Sequence, residues 1–190
     1  AITYRNDIEA PEDPSGYYWH GLTEWEDLEA AAQYALTNGA NDLILVGYSM
    51  GGGIIANFLY QSPLADNVVG VILDSPMLDL GTTVDLGGQN RNLPQFLTTV
   101  AKMISGFRFN IDWAGVNYLT RVEKISTPVL LFHGDADKTV PVRISEIFAA
   151  SRPDLVTFEL FVNAPHVGAW NVDPEAYESA VRVFVDQVSR

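Results

Sequence analysis

Apolar residues along this chain alternate between two rhythms. Short apolar-rich runs over 42–48, 68–73, 129–133 and 156–162 predict strands, and the continuous run at 68–73 is of the sort that a strand covered on both faces requires. Before, between and after them, apolar residues recur at helical spacing. Trp25, Leu28, Ala32 and Leu36 share one helical face, residues 51–60 form a second helix stopped before Pro63, and Ile144, Ile147 and Phe148 mark a third, opened by Pro141. Asp173 and Pro174 begin a last helix through Tyr177, Val181, Phe184 and Val188. Because a helical crossover separates each pair of strands, the sheet should be parallel, with helices on both faces: an α/β fold.

Other stretches carry weaker signals. Residues 2–4 are β-prone and lead into a Pro, Gly and Asp-rich loop ending at Gly21; Thr23 and Glu26 have capping-box spacing, and Gly39 supplies a helix stop. From 76 to 127 the rhythm fades. The stretch GTTVDLGGQNRNLP reads as loop, and 95–104 and 112–119 read as short helices rich in aromatics. The expected organisation is one domain over 1–190, with a lid-like insertion at 76–127.

Composition narrows the function. Twenty-four acidic residues against 11 Lys and Arg give a formal charge of −13, which disfavours a nucleic-acid backbone and acidic substrates. No apolar run approaches the ~20 residues of a membrane span. The absence of cysteine removes disulfides, thiolate metal sites and a cysteine nucleophile, and leaves the compartment, cytoplasmic or secreted, open. No cofactor or metal is expected.

The candidate chemistry lies in LILVGYSMGGGIIANF, residues 43–58. Gly47-Tyr48-Ser49-Met50-Gly51 fits G-x-S-x-G between a strand and a helix, the arrangement that lifts a serine hydroxyl above a sheet. The N-terminus of the following helix favours an oxyanion beside Ser49. A serine hydroxyl needs a base, and the base an orienting acid. His166, in the loop after the last strand, is the expected base; His133 suits packing or a turn hydrogen bond, and His20 precedes Gly21 in the early loop. For the acid, Asp137 in HGDADKTVP is favoured, with Asp135 and Asp74 as alternatives at strand ends.

The motifs GYSMGG, HGDADKTVP with Asp137, LDSP, and His166 before the final helix together resemble the α/β-hydrolase superfamily, near its esterase, lipase and serine-peptidase-like branches. The resemblance covers nearly all of the chain. It implies a serine hydrolase with Ser49, Asp137 and His166 as a triad acting through an acyl-enzyme on a small-molecule carboxylic ester. Peptide or amide hydrolysis by the same triad is the second reading, and a non-catalytic hydrolase-fold module the third. Tyr48, Phe96 and Trp113, with Phe107, Phe109 and Tyr118, are candidates to wall an acyl pocket.

The resemblance also implies strands that are not found before residue 2. In such folds a strand lies between the segment resembling 2–4 and the nucleophile strand, and that region supplies one of two oxyanion donors, the other being the N–H of Met50. An upstream segment of the same protein, or another chain, is therefore expected to complete the sheet beside 43–46.

Overall fold

A computed structural model describes residues 1–189. Its centre is a four-stranded parallel sheet in the order β1-β2-β3-β4, formed by Leu43–Tyr48, Val68–Asp74, Val129–Gly134 and Val156–Phe161. Side chains alternate across it as the two-residue period of a strand requires. Leu45, Val71, Leu73, Val129 and Leu131 face one core, with Ile55 and Phe58 of α2 (Met50–Gln61) and Ile144 and Phe148 of α5 (Val142–Ser151). Ile72, Leu130 and Phe132 face the other, against Tyr177 and Phe184 of α7 (Pro174–Val188), where the Phe132 and Tyr177 rings stack with centroids 4.0 Å apart. Helices cover both faces of β2 and β3, as the apolar run at 68–73 predicts, whereas Val46 and Tyr48 of β1 and Thr157, Glu159 and Leu160 of β4 stay exposed. The Asp173 carboxylate accepts from the Ala176 N–H at 3.0 Å and Pro174 opens α7, so its start is where the sequence puts it.

The N-terminal expectations need correction. Residues 2–4 form no strand; β1 is an edge strand, and no strand among the described residues pairs with its outer side. Ala1, Ile2 and Tyr4 instead line a groove of about 610 Å³ along β1, shared with Leu28, Val46 and Ser49. They are held there by Arg5, whose guanidinium pairs with Asp27 at 2.9 Å and Glu26 at 3.0 Å on α1 (Trp25–Thr37). The capping box is also absent. Glu26 is taken up by Arg5, the Thr23 hydroxyl has no partner, and buried Glu24 accepts from the Trp19 and Gly21 N–H groups at 2.6 and 2.8 Å.

Between β2 and β3 the chain is more helical than its sequence suggests. Part of the expected loop is α3 (Leu80–Gln89), started by Asp79, which accepts from the Thr82 N–H at 3.1 Å and the Thr82 hydroxyl at 2.6 Å. The next helix, α4 (Gln95–Phe109), outruns its predicted end. Of residues 112–119, predicted as a short helix, 112–117 are not helical. Asp112 accepts from the Gly115 N–H at 2.9 Å, which turns the backbone, and a 3₁₀ segment follows over Tyr118–Lys124. A four-residue helix, α6 (Ala169–Val172), precedes α7. None of the helices is long and apolar enough to cross a membrane, among the described residues.

Candidate active site

Ser49 sits where β1 ends and α2 begins with no linker, so its backbone absorbs the whole turn at φ 50°, ψ −115°. A non-glycine residue held there costs about 1–3 kcal/mol. The surroundings hold it in place: its N–H donates to the Asp74 carbonyl at 3.1 Å, and its carbonyl accepts from Gly52 and Met77 N–H groups at 3.0 and 2.9 Å. Of the two glycines in the motif, Gly47 has the steric reason. A Cβ there would stand 2.9 Å from the Gly51 carbonyl carbon and oxygen, whereas a Cβ on Gly51 would meet nothing within 4 Å.

His166, in the segment after β4, points Nε2 at Ser49 Oγ, 2.9 Å away, and Nδ1 at Asp137 Oδ2, 2.7 Å away. Asp137 comes from the turn after β3, so three strand ends converge on one hydrogen-bonded chain. Its other oxygen accepts from the Thr139 and Val140 N–H groups at 2.7 and 2.9 Å. Burial opposes charge on this carboxyl most strongly, but donation from His133, His166, Val140 and Thr139 together outweighs it and holds the group well below the usual carboxylate range.

His133 makes the turn hydrogen bond expected of it and reaches Asp137 as well, while the contacts of Ser75 escaped the sequence reading. His133 Nε2 lies 3.2 Å from Asp137 Oδ2 and 3.1 Å from the Val140 carbonyl, and Nδ1 lies 2.7 Å from Ser145 Oγ on α5. Both neighbours of Nε2 only accept, so the network assigns the hydrogen to Nε2 and leaves Nδ1 to accept from Ser145. The i, i+4 relation of His133 to Asp137 was visible in the sequence; their contact depends on the turn between them. Ser75, of the LDSP motif, is fully buried at φ 49°; its hydroxyl donates to Asp74 Oδ1 at 3.0 Å and accepts from the Val167 N–H at 3.1 Å. Val167 directly follows His166 and is itself at φ 52°, a conformation costly for a β-branched residue.

The alternatives lie elsewhere. Asp74 is buried and bonded to Ser75 rather than to His166, and burial pushes its carboxyl up, opposite to Asp137. Asp135 braces the exit of β4 by accepting from the Asn163 N–H at 2.6 Å. Burial pushes the His20 imidazole down from its ordinary value, and its carbonyl accepts from the buried Tyr118 hydroxyl at 2.9 Å. Met50 opens α2, where first-turn N–H groups lack intrahelical partners, and half-exposed Tyr48 lines the groove beside Ser49. Phe96 and Trp113 do not line that groove: Phe96 is solvent-exposed on α4, and the Trp113 indole donates to the Lys102 carbonyl at 2.9 Å. Phe107 and Phe109 are likewise exposed. Among the described residues no group of three or more His, Asp or Glu side chains converges as metal ligands would.

The family model Hydrolase_4, described as serine aminopeptidase, S33, matches residues 15–113. The chain belongs to this α/β-hydrolase family. The match takes in Ser49 and ends before Asp137 and His166. Over 129 residues the chain is 28% identical to the uncharacterized protein YfhR of Escherichia coli O157:H7, covering 68% of this chain and 39% of YfhR. Its fold is similar to the esterase Pf2001 of Pyrococcus furiosus, with a TM-score of 0.67 and 25% identity, covering 90% of this chain and 64% of that one. A puromycin-hydrolyzing peptidase of Mycobacterium tuberculosis shares the fold at a TM-score of 0.66 and 22% identity, covering 90% of this chain and 26% of that one. The chain therefore spans less than two thirds of these relatives, and it is a member of a hydrolase family with the α/β-hydrolase fold.

Proposed function

We propose that this S33-family chain is a serine hydrolase that cleaves carboxylic esters through an acyl-enzyme. One observation carries the reading: the unbroken hydrogen-bonded chain from Ser49 through His166 to Asp137, at 2.9 and 2.7 Å. Ser49 Oγ attacks the ester carbonyl as His166 Nε2 takes its proton. Asp137 keeps the imidazole in the required tautomer and stabilises its cation. The Met50 N–H receives the oxyanion, His166 returns its proton to the leaving alkoxide, and water repeats the cycle to free the acid. A strand from outside these residues, or from another chain, lies along β1 and brings the second oxyanion donor. The added strand fills the groove along β1 as far as Val46, the end of the groove at Tyr48, Ser49 and Met50 stays open to the ester, and 76–127 serves as a lid.

Fluorophosphonate labelling tests the mechanism. Label is expected on Ser49 and is lost in Ser49→Ala, which should lower p-nitrophenyl ester turnover by about 10⁶-fold. Folded protein that takes no label at Ser49 would make the chain a non-catalytic module. The serine aminopeptidase description and the peptidase neighbour favour a second reading, amide cleavage by the same three residues. A higher kcat/KM on aminoacyl amides than on short p-nitrophenyl esters decides for it.

A further inference from the structure

The helix α4 is amphipathic the wrong way round. Its inward stripe is polar or small: Thr98 is buried against Gly88, Lys102 pairs with Asp85 at 2.6 Å, and Gly106 lies under Trp113. Its outward stripe is Phe96, Leu97, Val100, Met103, Ile104 and Phe107, with Phe107 95% exposed, Met103 71% and Phe96 64%. Taking about 150–250 Å² for each of the six large side chains and scaling by their exposure of 42–95%, the stripe presents on the order of 600–900 Å², at or above the largest patch of a typical monomer. That is also the area one partner contributes to a standard stable interface.

We propose that this face is a homodimer seam in which α4 packs antiparallel on α4 of a second copy. The spacing 96, 100, 103, 107 steps by four, three and four residues, the period of a coiled-coil seam. A two-fold axis between Ala101 and Lys102 sets Val100 against Met103 of the partner subunit, and Phe96 against Phe107 of the partner subunit. The face is self-complementary, as a two-fold interface must be. Charge favours the same occupant. In a chain of net charge −13, α4 carries Lys102 and Arg108 and no carboxylate, so two copies meet here with least repulsion. With Lys102 already paired to Asp85, Arg108 alone offers an anionic bilayer too little attraction to offset that net charge.

Sedimentation from about 1 to about 100 μM tests the seam with three proteins: the unaltered chain, Val100→Glu with Met103→Glu, and Val100→Glu with Met103→Lys. The unaltered chain should dimerise, more tightly at high salt because screening relieves the repulsion between two acidic copies. The double-glutamate variant places like charges opposite each other and should associate about 100-fold more weakly. The Glu and Lys variant forms two opposite-charge pairs only if the helices run antiparallel, and should retain the dimer. All three should share one circular dichroism spectrum, since the altered positions face solvent in one copy. A chain that stays monomeric throughout, a dimer indifferent to the two glutamates, or loss of the dimer in the Glu and Lys variant overturns the proposal. So does a monomer that instead binds zwitterionic vesicles through the same residues.

Discussion

His133 Nε2 lies 3.2 Å from Asp137 Oδ2, with both side chains wholly excluded from solvent. Asp137 Oδ2 thus serves two imidazoles, and only His166 also reaches Ser49. His133→Leu removes a buried donor and should lower kcat for ester hydrolysis by about 10- to 100-fold, with KM changed less than about twofold. His133→Gln keeps a donor near Nε2 and should recover most of the loss. A leucine variant with unaltered kcat and an unaltered acid limb of the pH–rate profile would reduce His133 to a packing residue.

Ser75 acts on His166 from the other side. Ser75→Ala leaves the Val167 N–H and one Asp74 oxygen without their partner, at a cost of about 1–3 kcal/mol in urea unfolding. It should also release the strained backbone beside His166, so kcat falls while reactivity toward an excess of fluorophosphonate persists. Loss of stability with kcat preserved would make the bond purely structural.

The two glycines flanking the serine should respond in opposite ways. Gly47→Ala drives a methyl into the Gly51 backbone and should destabilise the fold by about 2 kcal/mol or more, with turnover lost. Gly51→Ala meets open space at the start of α2 and should keep or raise stability by about 0.5–1 kcal/mol. Thermal melts of the two variants decide this directly.

The two buried carboxylates at these strand ends predict opposite pH dependences. Asp137 is held below its unfolded value, so its contribution is fully present above the unfolded pKa of about 3.9 and is lost as pH falls toward the folded value. Asp137→Asn should therefore be less stable than the parent at pH 7 and flatter in acid, with kcat about 10⁴-fold lower. Asp74 is held above its unfolded value, so its ionised form is a penalty, complete above the folded pKa and gone below about 3.9. Asp74→Asn, which keeps an acceptor for Ser75, should be more stable than the parent at pH 7 and match it near pH 3. Urea unfolding of both variants across this range tests the signs.

The sites read least well from the sequence are those where a distant partner overrules a local signal. Thr23 and Glu26 have capping-box spacing, yet Arg5 takes Glu26 and leaves Thr23 without a bond. Residues 81–94, rich in Gly, Thr and Asn, poor helix formers, read as loop; Asp79 at the N-cap, burial of Leu80 and packing of Gly88 on Thr98 make the part up to Gln89 helical. Residues 2–4 have strand propensity but no paired neighbour among the described residues, and a strand needs one.

By itself the sequence determined the four strands, their parallel direction and the serine between two glycines, because apolar-rich runs joined by helical crossovers demand parallel strands and a sharp strand-to-helix turn leaves a local imprint. It also narrowed base and acid to a few residues at strand ends. Only the tertiary structure decided that His166 and Asp137 share a hydrogen bond with Ser49 at its far end, that His133 and Ser75 brace them, and that α4 turns its apolar stripe outward. Those relations join residues up to 117 positions apart, and contact over such separations is set by how the sheet packs, on which local spacing carries no information.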